Sequence, residues 1–273
     1  MIVNADSAQI YRGLPILSAA PTPEESAKVE HRLYGTRDGA LPCSAAEYAR
    51  LAKIEIAEIH GQGRVPILVG GTGLYLRTLL DGIAPVPAID PEVRDRVREA
   101  PVEQNRDKLK TLDPEAAGRL NPRDTTRIAR ALEVVLSTGR TLAEWQHLRE
   151  GGIAGEVDLR PLVLLPPRQW LYARCDERFE RMFGEGAIEE VEALLARGLN
   201  PNLPVMRGIG VAEIAAYLRG YMTREEAIAA GQQATRRYAK RQYTWFAHQP
   251  PGDWPRFTKL PGAGALELLE TNA

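Results

Sequence analysis

The apolar positions change period along the chain, and each change marks an element. Met1 to Ala5 is short, apolar and partly β-branched, and it stops at Asp6-Ser7, which predicts the end of a strand. Pro21 to Arg37 is polar and proline-containing and reads as loop with a short helix. From Ser44 to Ile59, Ala45, Tyr48, Ala49, Ala52, Ile56 and Ile59 recur at helical spacing. Ser44 and Glu47 make a capping-box pattern at its start, and Gly61 and Gly63 end it. Val65 to Val69 is a continuous apolar run, the pattern of a strand buried on both faces. Gly70-Gly71-Thr72-Gly73 follows, then a helical stretch from Leu74 to Leu80, giving strand, glycine turn and helix. That is one βα unit of a parallel sheet.

Further on, Leu162 to Leu165 predicts another buried strand. A helix is expected from about Arg168 to Ala196, with Leu171, Cys175, Phe179, Met182, Val191 and Leu195 inward, and helical pattern continues through Phe246. From Pro250 the tail is rich in proline and glycine and carries a short final helix. Pro87 to Gly155 is different: charged, helical in period (Asp90 to Arg98, Thr125 to Leu136) and without a strand candidate. The expected architecture is an α/β core of residues 1–86 and 156–273, interrupted by a helical insertion at 87–155.

Composition adds constraints. With 273 residues, 44% hydrophobic and 26% charged, the chain is long enough and apolar enough to bury a core. The formal net charge of -1 excludes nucleic-acid binding by bulk charge, so any such binding needs a local basic face. Cys43 and Cys175 lie far apart without metal-ligand spacing, which fits two free thiols in a reducing compartment. No stretch is long and apolar enough to span a bilayer, and the N-terminus lacks a signal pattern; the expected address is the cytoplasm, with no membrane partner.

Five places could carry chemistry. Asp6-Ser7 sits at the C-terminal end of a strand, where parallel α/β sheets bind ligands; a carboxylate there can accept a proton, or can simply cap the next turn. The Gly70 to Gly73 turn opens a helix, where bare amides favour an anion and the Thr72 hydroxyl could donate to a phosphate; a plain tight turn has the same sequence. Ala227 to Phe246 contains Arg236, Arg237, Lys240 and Arg241 and no acid, so two basic ridges run along one helix with Tyr238, Tyr243, Trp245 and Phe246 between them. Such a face suits phosphates and stacked bases, or is a solvated face with its rings in the core. Arg119, Arg123, Arg127 and Arg130 offer a second basic face in the insertion, unless Asp124 and Glu133 neutralise them. Arg207, alone among small and apolar neighbours in Leu203 to Gly210, lacks a local acid and would suit a phosphate, or is incidental to a helix start. His31, His60, His147 and His248 share no spacing and are assigned to no metal or base.

Five segments, in order, resemble the tRNA dimethylallyltransferases. They are Ala5-Asp6-Ser7-Ala8-Gln9-Ile10-Tyr11-Arg12-Gly13; Pro66 to Tyr75 with its Gly-Gly-Thr-Gly-Leu-Tyr; Arg127-Ile128-Ala129-Arg130-Ala131-Leu132-Glu133-Val134; Met206 to Gly210; and Tyr238-Ala239-Lys240-Arg241-Gln242-Tyr243-Thr244-Trp245-Phe246. The resemblance implies a P-loop kinase-like parallel sheet core with a helical insertion domain. It also implies transfer of a dimethylallyl group from dimethylallyl diphosphate to N6 of the adenine 3′ to the anticodon, on a base flipped out of the loop. By that resemblance Asp6 would accept the N6 proton, Thr72 would donate to the bridging oxygen, and Arg207 would bind the diphosphate as charge builds on it. Magnesium would neutralise the same group, through metal ligands the sequence does not identify. Asp6, Ser7, Ala8 and Gln9, then Thr126, Arg127 and Arg130, then Arg236, Arg237, Lys240 and Arg241 would line the path of the tRNA anticodon stem-loop, and the protein would act as a monomer.

The sequence departs from that family in places. The family's first strand and its Gly-x-Thr-x-x-Gly-Lys-Ser/Thr phosphate loop have no counterpart, so they are expected either upstream of the recorded start or lost. Val211 stands where the family has tyrosine, and Leu17-Ser18-Ala19-Ala20 lacks the lysine often found there. Two rivals therefore accompany the transferase: a catalytically impaired tRNA-binding remnant, and a kinase-like enzyme binding ATP at the Gly70 to Gly73 turn. The central spatial expectation is that Asp6 and Thr72 meet at one cleft.

Overall fold

Three short parallel strands support the first part of the molecule. In the computed structural model, which describes residues 1–259, they are β1 (Ile2–Asn4), β2 (His31–Arg32) and β3 (Ile67–Val69), with β1 in the middle. Ile2 pairs with His31 on one side and with Ile67 on the other, and Asn4 reaches level with Val69. The tips of β1 and β3 therefore end side by side, which is where a parallel sheet places its ligands. Between the strands lie α1 (Pro23–Lys28) and α2 (Ala45–Gly61), and β3 runs into α3 (Gly73–Asp81). Tyr48, Ala49, Ala52, Ile56 and Ile59 form the buried stripe of α2, as the helical spacing requires. Ser44 accepts from the Glu47 amide, but the Glu47 carboxylate turns to Arg50 and Arg37, so only half of the expected capping box forms.

The chain divides into two units, Met1–Leu79 with Val157 onward, and Leu80–Glu156. The second is all helix apart from one isolated bridge between Ile83 and Glu150: α4 (Pro91–Glu99), α5 (Val102–Leu112), α6 (Pro114–Arg119), α7 (Thr125–Thr138) and α8 (Leu142–Gln146). Asp90, Asp113, Asp124 and Thr141 each cap a helix by accepting a backbone N–H. Its own core gathers Val93, Val97, Leu109, Ala116, Ala117, Ile128, Ala131, Leu132 and Val135.

The first unit resumes with β4 (Val163–Leu164), α9 (Arg168–Gly184), α10 (Ala187–Ala196), a 3-10 turn (Pro204–Arg207), α11 (Val211–Leu218), α12 (Arg224–His248) and β5 (Arg256–Phe257). Several expectations need correction. The strand β2 was hidden in a polar stretch, because it is two residues long at a sheet edge. Val65, Ile67 and Val69 are 73%, 54% and 47% exposed rather than buried on both faces, because β3 has one partner strand among the described residues. β4 pairs with β5 in a separate small sheet and leaves Leu164 exposed. The single helix expected to Ala196 breaks at Glu185-Gly186, where Gly186 takes φ 111°, and α10 then buries Leu194 in place of Leu195. Loops likewise interrupt the helical pattern expected between Ala196 and Phe246. The final helix expected in the tail lies outside the described residues. Among the described residues no helix is long and apolar enough to cross a membrane.

Candidate active-site cleft

Beyond the tip of β1 the chain is turned by Asn4. This side chain is fully buried; its amide donates to the carbonyls of Asp6 (3.0 Å) and Leu33 (3.1 Å), and its Oδ1 accepts from the Asp6 amide (2.7 Å). An asparagine that satisfies both its own loop and the exit of β2 fixes the turn in one conformation. Asp6 is thereby aimed out of the sheet, and its carboxylate accepts from the Ala8 amide at 2.8 Å. It caps the turn and stands in the cleft at once. Burial pushes its pKa above the ordinary carboxylate range, against the opposing pull of the Ala8 and Gln9 amides and of the Arg178 charge. A carboxylate so desolvated is a better proton acceptor than one on the surface.

Thr72 joins the neighbouring strand tip to this loop. Its amide donates to the Ala5 carbonyl at 3.2 Å. Its hydroxyl accepts from the Ser7 amide at 2.9 Å and donates to the Ser7 hydroxyl at 3.1 Å. Asp6 and Thr72 therefore belong to one corner, as expected. The Thr72 hydroxyl also lies beside the phenol of Tyr238, which reaches in from α12 together with Gln242. Burial raises the pKa of that phenol, so it remains a proton donor. Ser7 and Tyr238 line the cavity itself, while Thr72 stands behind them.

The glycine turn takes its sequence from packing. A side chain at Gly73 would collide with the indole of Trp245, and one at Gly71 with the amide of Gln242, which donates to the Gly71 carbonyl at 3.0 Å. Residues of α12 thus pack against Gly71 and Gly73, while Gly70 and Gly71 still border the cavity.

These residues edge a cavity of about 670 Å³ whose walls include Leu171, Phe179, Met182 and Phe246. Two guanidinium groups, Arg178 and Arg207, reach the same space. Neither forms an ion pair among the described residues, so both charges are available to an anion. Asp6 is the carboxylate on this wall, and no group of three His, Cys, Asp or Glu side chains able to hold a metal stands among the described residues. A pocket of apolar wall, two free cations and one strengthened base suits a ligand with a hydrocarbon end, an anionic end and a proton to lose.

The other expected binding residues are distributed as follows. Ala8 is exposed beside Asp6, but the Gln9 amide is committed internally to the carbonyls of Ser18 and Ala19. Along α12, Arg237, Lys240 and Arg241 are exposed, whereas Arg236 is neutralised by Asp176 at 2.6 Å. The sequence missed that pairing because the acid lies on α9. Cations lie over three of the rings, Arg168 over Tyr243, Arg77 over Trp245 and Arg241 over Tyr238, while Tyr238, Tyr243 and Phe246 also line the cavity. Thr126, Arg127 and Arg130 lie on α7 in the helical unit, with Arg127 3.5 Å from Asp124 and Arg130 4.0 Å from Glu133. Sequence reasoning had not singled out Asn4, Arg178 or the Tyr238 hydroxyl for this cleft. The polar side chain ending a strand just before Asp6 was the one legible signal among them.

A family model described as IPP transferase matches residues 9–249. The chain is 64% identical over 255 residues to the tRNA dimethylallyltransferase of Sphingopyxis alaskensis, covering 93% of this chain and 83% of that protein. It is 63% identical over 256 residues to the tRNA dimethylallyltransferase of Novosphingobium aromaticivorans, covering 94% and 91%. Among solved structures, the full-length tRNA isopentenylpyrophosphate transferase of Bacillus halodurans matches with a TM-score of 0.69 at 33% identity, over 99% of this chain and 86% of that one. A eukaryotic dimethylallyltransferase acting on tRNA matches with a TM-score of 0.75 at 25% identity, over 89% and 62%.

Proposed function

This chain belongs to the IPP transferase family, and we propose that it is a tRNA dimethylallyltransferase, moving a dimethylallyl group from dimethylallyl diphosphate to N6 of the adenine 3′ to the anticodon. The observation that carries the reading is the desolvated Asp6 carboxylate at the edge of an apolar cavity that two unpaired arginines also reach.

In this reaction the N6 nitrogen attacks the allylic carbon, the carbon–oxygen bond to the diphosphate breaks, and the N6 proton passes to Asp6. The apolar wall receives the hydrocarbon group. Arg178 and Arg207 take the growing charge of the departing diphosphate. The Ser7 and Tyr238 hydroxyls, ordered by Thr72, donate at the cleft edge. Magnesium bound with the diphosphate would supply charge neutralisation; no cluster of three His, Cys, Asp or Glu side chains stands among the described residues to hold it, so Ser7 and other cleft oxygens would add to ligands drawn mostly from phosphate and water. Arg237, Lys240 and Arg241 would meet the phosphates of the anticodon stem-loop, and Thr126, Arg127 and Arg130 would contribute from the helical unit.

The protein incubated with labelled dimethylallyl diphosphate and unmodified tRNA is expected to label the tRNA at that adenine. Tight tRNA binding without any transfer would overturn the enzymatic reading in favour of a binding role.

A further inference from the structure

The helical unit holds a second arrangement of charge that the cleft chemistry does not use. Glu133 of α7 is 1% exposed, among residues that otherwise form an apolar core. Arg98 of α4 donates to one of its oxygens at 2.9 Å, and Arg130 stands 4.0 Å from the other. Arg94 lies one helical turn before Arg98, close enough to Arg130 for their charges to repel, and its Nε is buried without an acceptor. Two guanidinium groups, those of Arg98 and Arg130, thus share one carboxylate, and the half-buried Arg94 adds a third cation beside Arg130. The side chains of Arg98 and Arg130 stay 62% and 42% exposed, so the acid grips them from beneath while their outer N–H groups face water.

Pairing alone does not explain this. A leucine at position 133 would bury apolar surface in its place, and burying a charge costs stability that a hydrophobic side chain would not. Crowding three like charges opposes the packing of α4 on α7. What the carboxylate gains is order: it holds long, flexible cations in place before any ligand arrives, which lowers the entropy lost on binding. The charge and fork geometry of clustered arginines fit a phosphate.

We propose that Glu133 anchors Arg98 and Arg130, with Arg94 as the neighbouring cation, as a preformed clasp for a backbone phosphate of the RNA substrate, additional to the basic face of α12. The proposal rests on the reading of the protein as an enzyme acting on tRNA. Glu133 is a positioning residue here, and the arginines are the contacts.

The test is the affinity of the whole protein for unmodified tRNA, measured across a salt series. Arg98→Ala should weaken binding and reduce the slope of log affinity against log salt by about 1, and Arg94→Ala/Arg98→Ala by about 2. Glu133→Gln separates positioning from charge. It leaves every cation and adds net positive charge, so simple electrostatics calls for tighter binding, whereas loss of the anchor calls for binding weakened roughly three- to tenfold at nearly unchanged slope. Tighter or equal binding by a folded Glu133→Gln overturns the anchor; should that variant not fold, the two arginine variants decide. If the original protein binds tRNA and both arginine variants keep its slope, the clasp is wrong while the enzyme reading stands. If the original protein does not bind tRNA, the enzyme reading itself fails.

Discussion

Asp6 and Glu133 are carboxylates withdrawn from water in the two units, and their surroundings give them opposite characters. Glu133 is met by Arg98 and Arg130. Among the described residues Asp6 has no ion-pair partner, only backbone amides and the more distant charge of Arg178, and burial raises its pKa. A carboxylate held by guanidinium groups is committed as their acceptor; one stripped of water and left nearly unpaired is placed to accept a proton. On the reading proposed above, the helical unit would use its acid to organise cations and the sheet unit would use its acid as a base.

Removing each group should therefore damage different properties. Asp6→Ala should lower kcat for prenyl transfer by about 10³-fold, within the usual range for loss of a general base, with tRNA affinity little changed. A kcat within tenfold of the original would remove Asp6 from the chemistry. Glu133→Leu should instead leave the helical unit as stable as before or more so, since Arg98 and Arg130 can turn to water; a clear fall in melting temperature would reverse that side of the comparison. Thr72→Ala should cost roughly 10- to 100-fold in kcat by releasing Ser7 and Tyr238, less than loss of a donor that touches the reacting atoms directly. A kcat loss as large as that of Asp6→Ala would place Thr72 in direct contact with substrate. Gly73→Ala drives a methyl group into the Trp245 ring and should cost about 1–3 kcal/mol in denaturant unfolding. Gly71→Ala meets only the movable end of Gln242 and should cost less; equal losses would mean that the turn itself, not α12, demands glycine.

The strand–turn–helix order, the inward stripe of α2 and the helical character of residues 87–155 were legible because each rests on local periodicity or turn chemistry. What escaped depended on partners distant in sequence. The apolar run at Val65 to Val69 reads as buried on both faces, yet burial belongs to whatever lies against a strand, and β3 has one neighbour strand among the described residues. Arg236 reads as a free cation until α9 brings Asp176 against it. Gln9 reads as wholly free for a ligand until the chain folds back and its Nε2 donates to Ser18 and Ala19, although the residue still lines the cavity. At the cleft, Asp6 and Thr72 could be paired from their places at two strand tips, but the hydroxyl of Tyr238 is more than 160 residues from Thr72 along the chain and no local pattern connects them.

The smallest effect is the most specific. Because burial raises the Asp6 pKa above its unfolded value, the folded state resists ionising it. Below the ordinary aspartate range both states carry the proton and the stability contribution is complete. As pH climbs through the raised folded value, the unfolded chain has already ionised and the contribution is lost. Asp6→Asn, which keeps an acceptor for the Ala8 amide but cannot ionise, should therefore match the original protein in acid and melt at a higher temperature near neutrality. The gap should open between the ordinary aspartate pKa and the raised one and then stay constant. The same proton must leave before Asp6 can act as a base, so kcat of the original protein in single-turnover transfer should rise over that window. A melting gap that does not vary with pH, or a rate that rises well outside the interval where the gap opens, would separate the titrating group from Asp6 and make the two carboxylates more alike than their surroundings suggest.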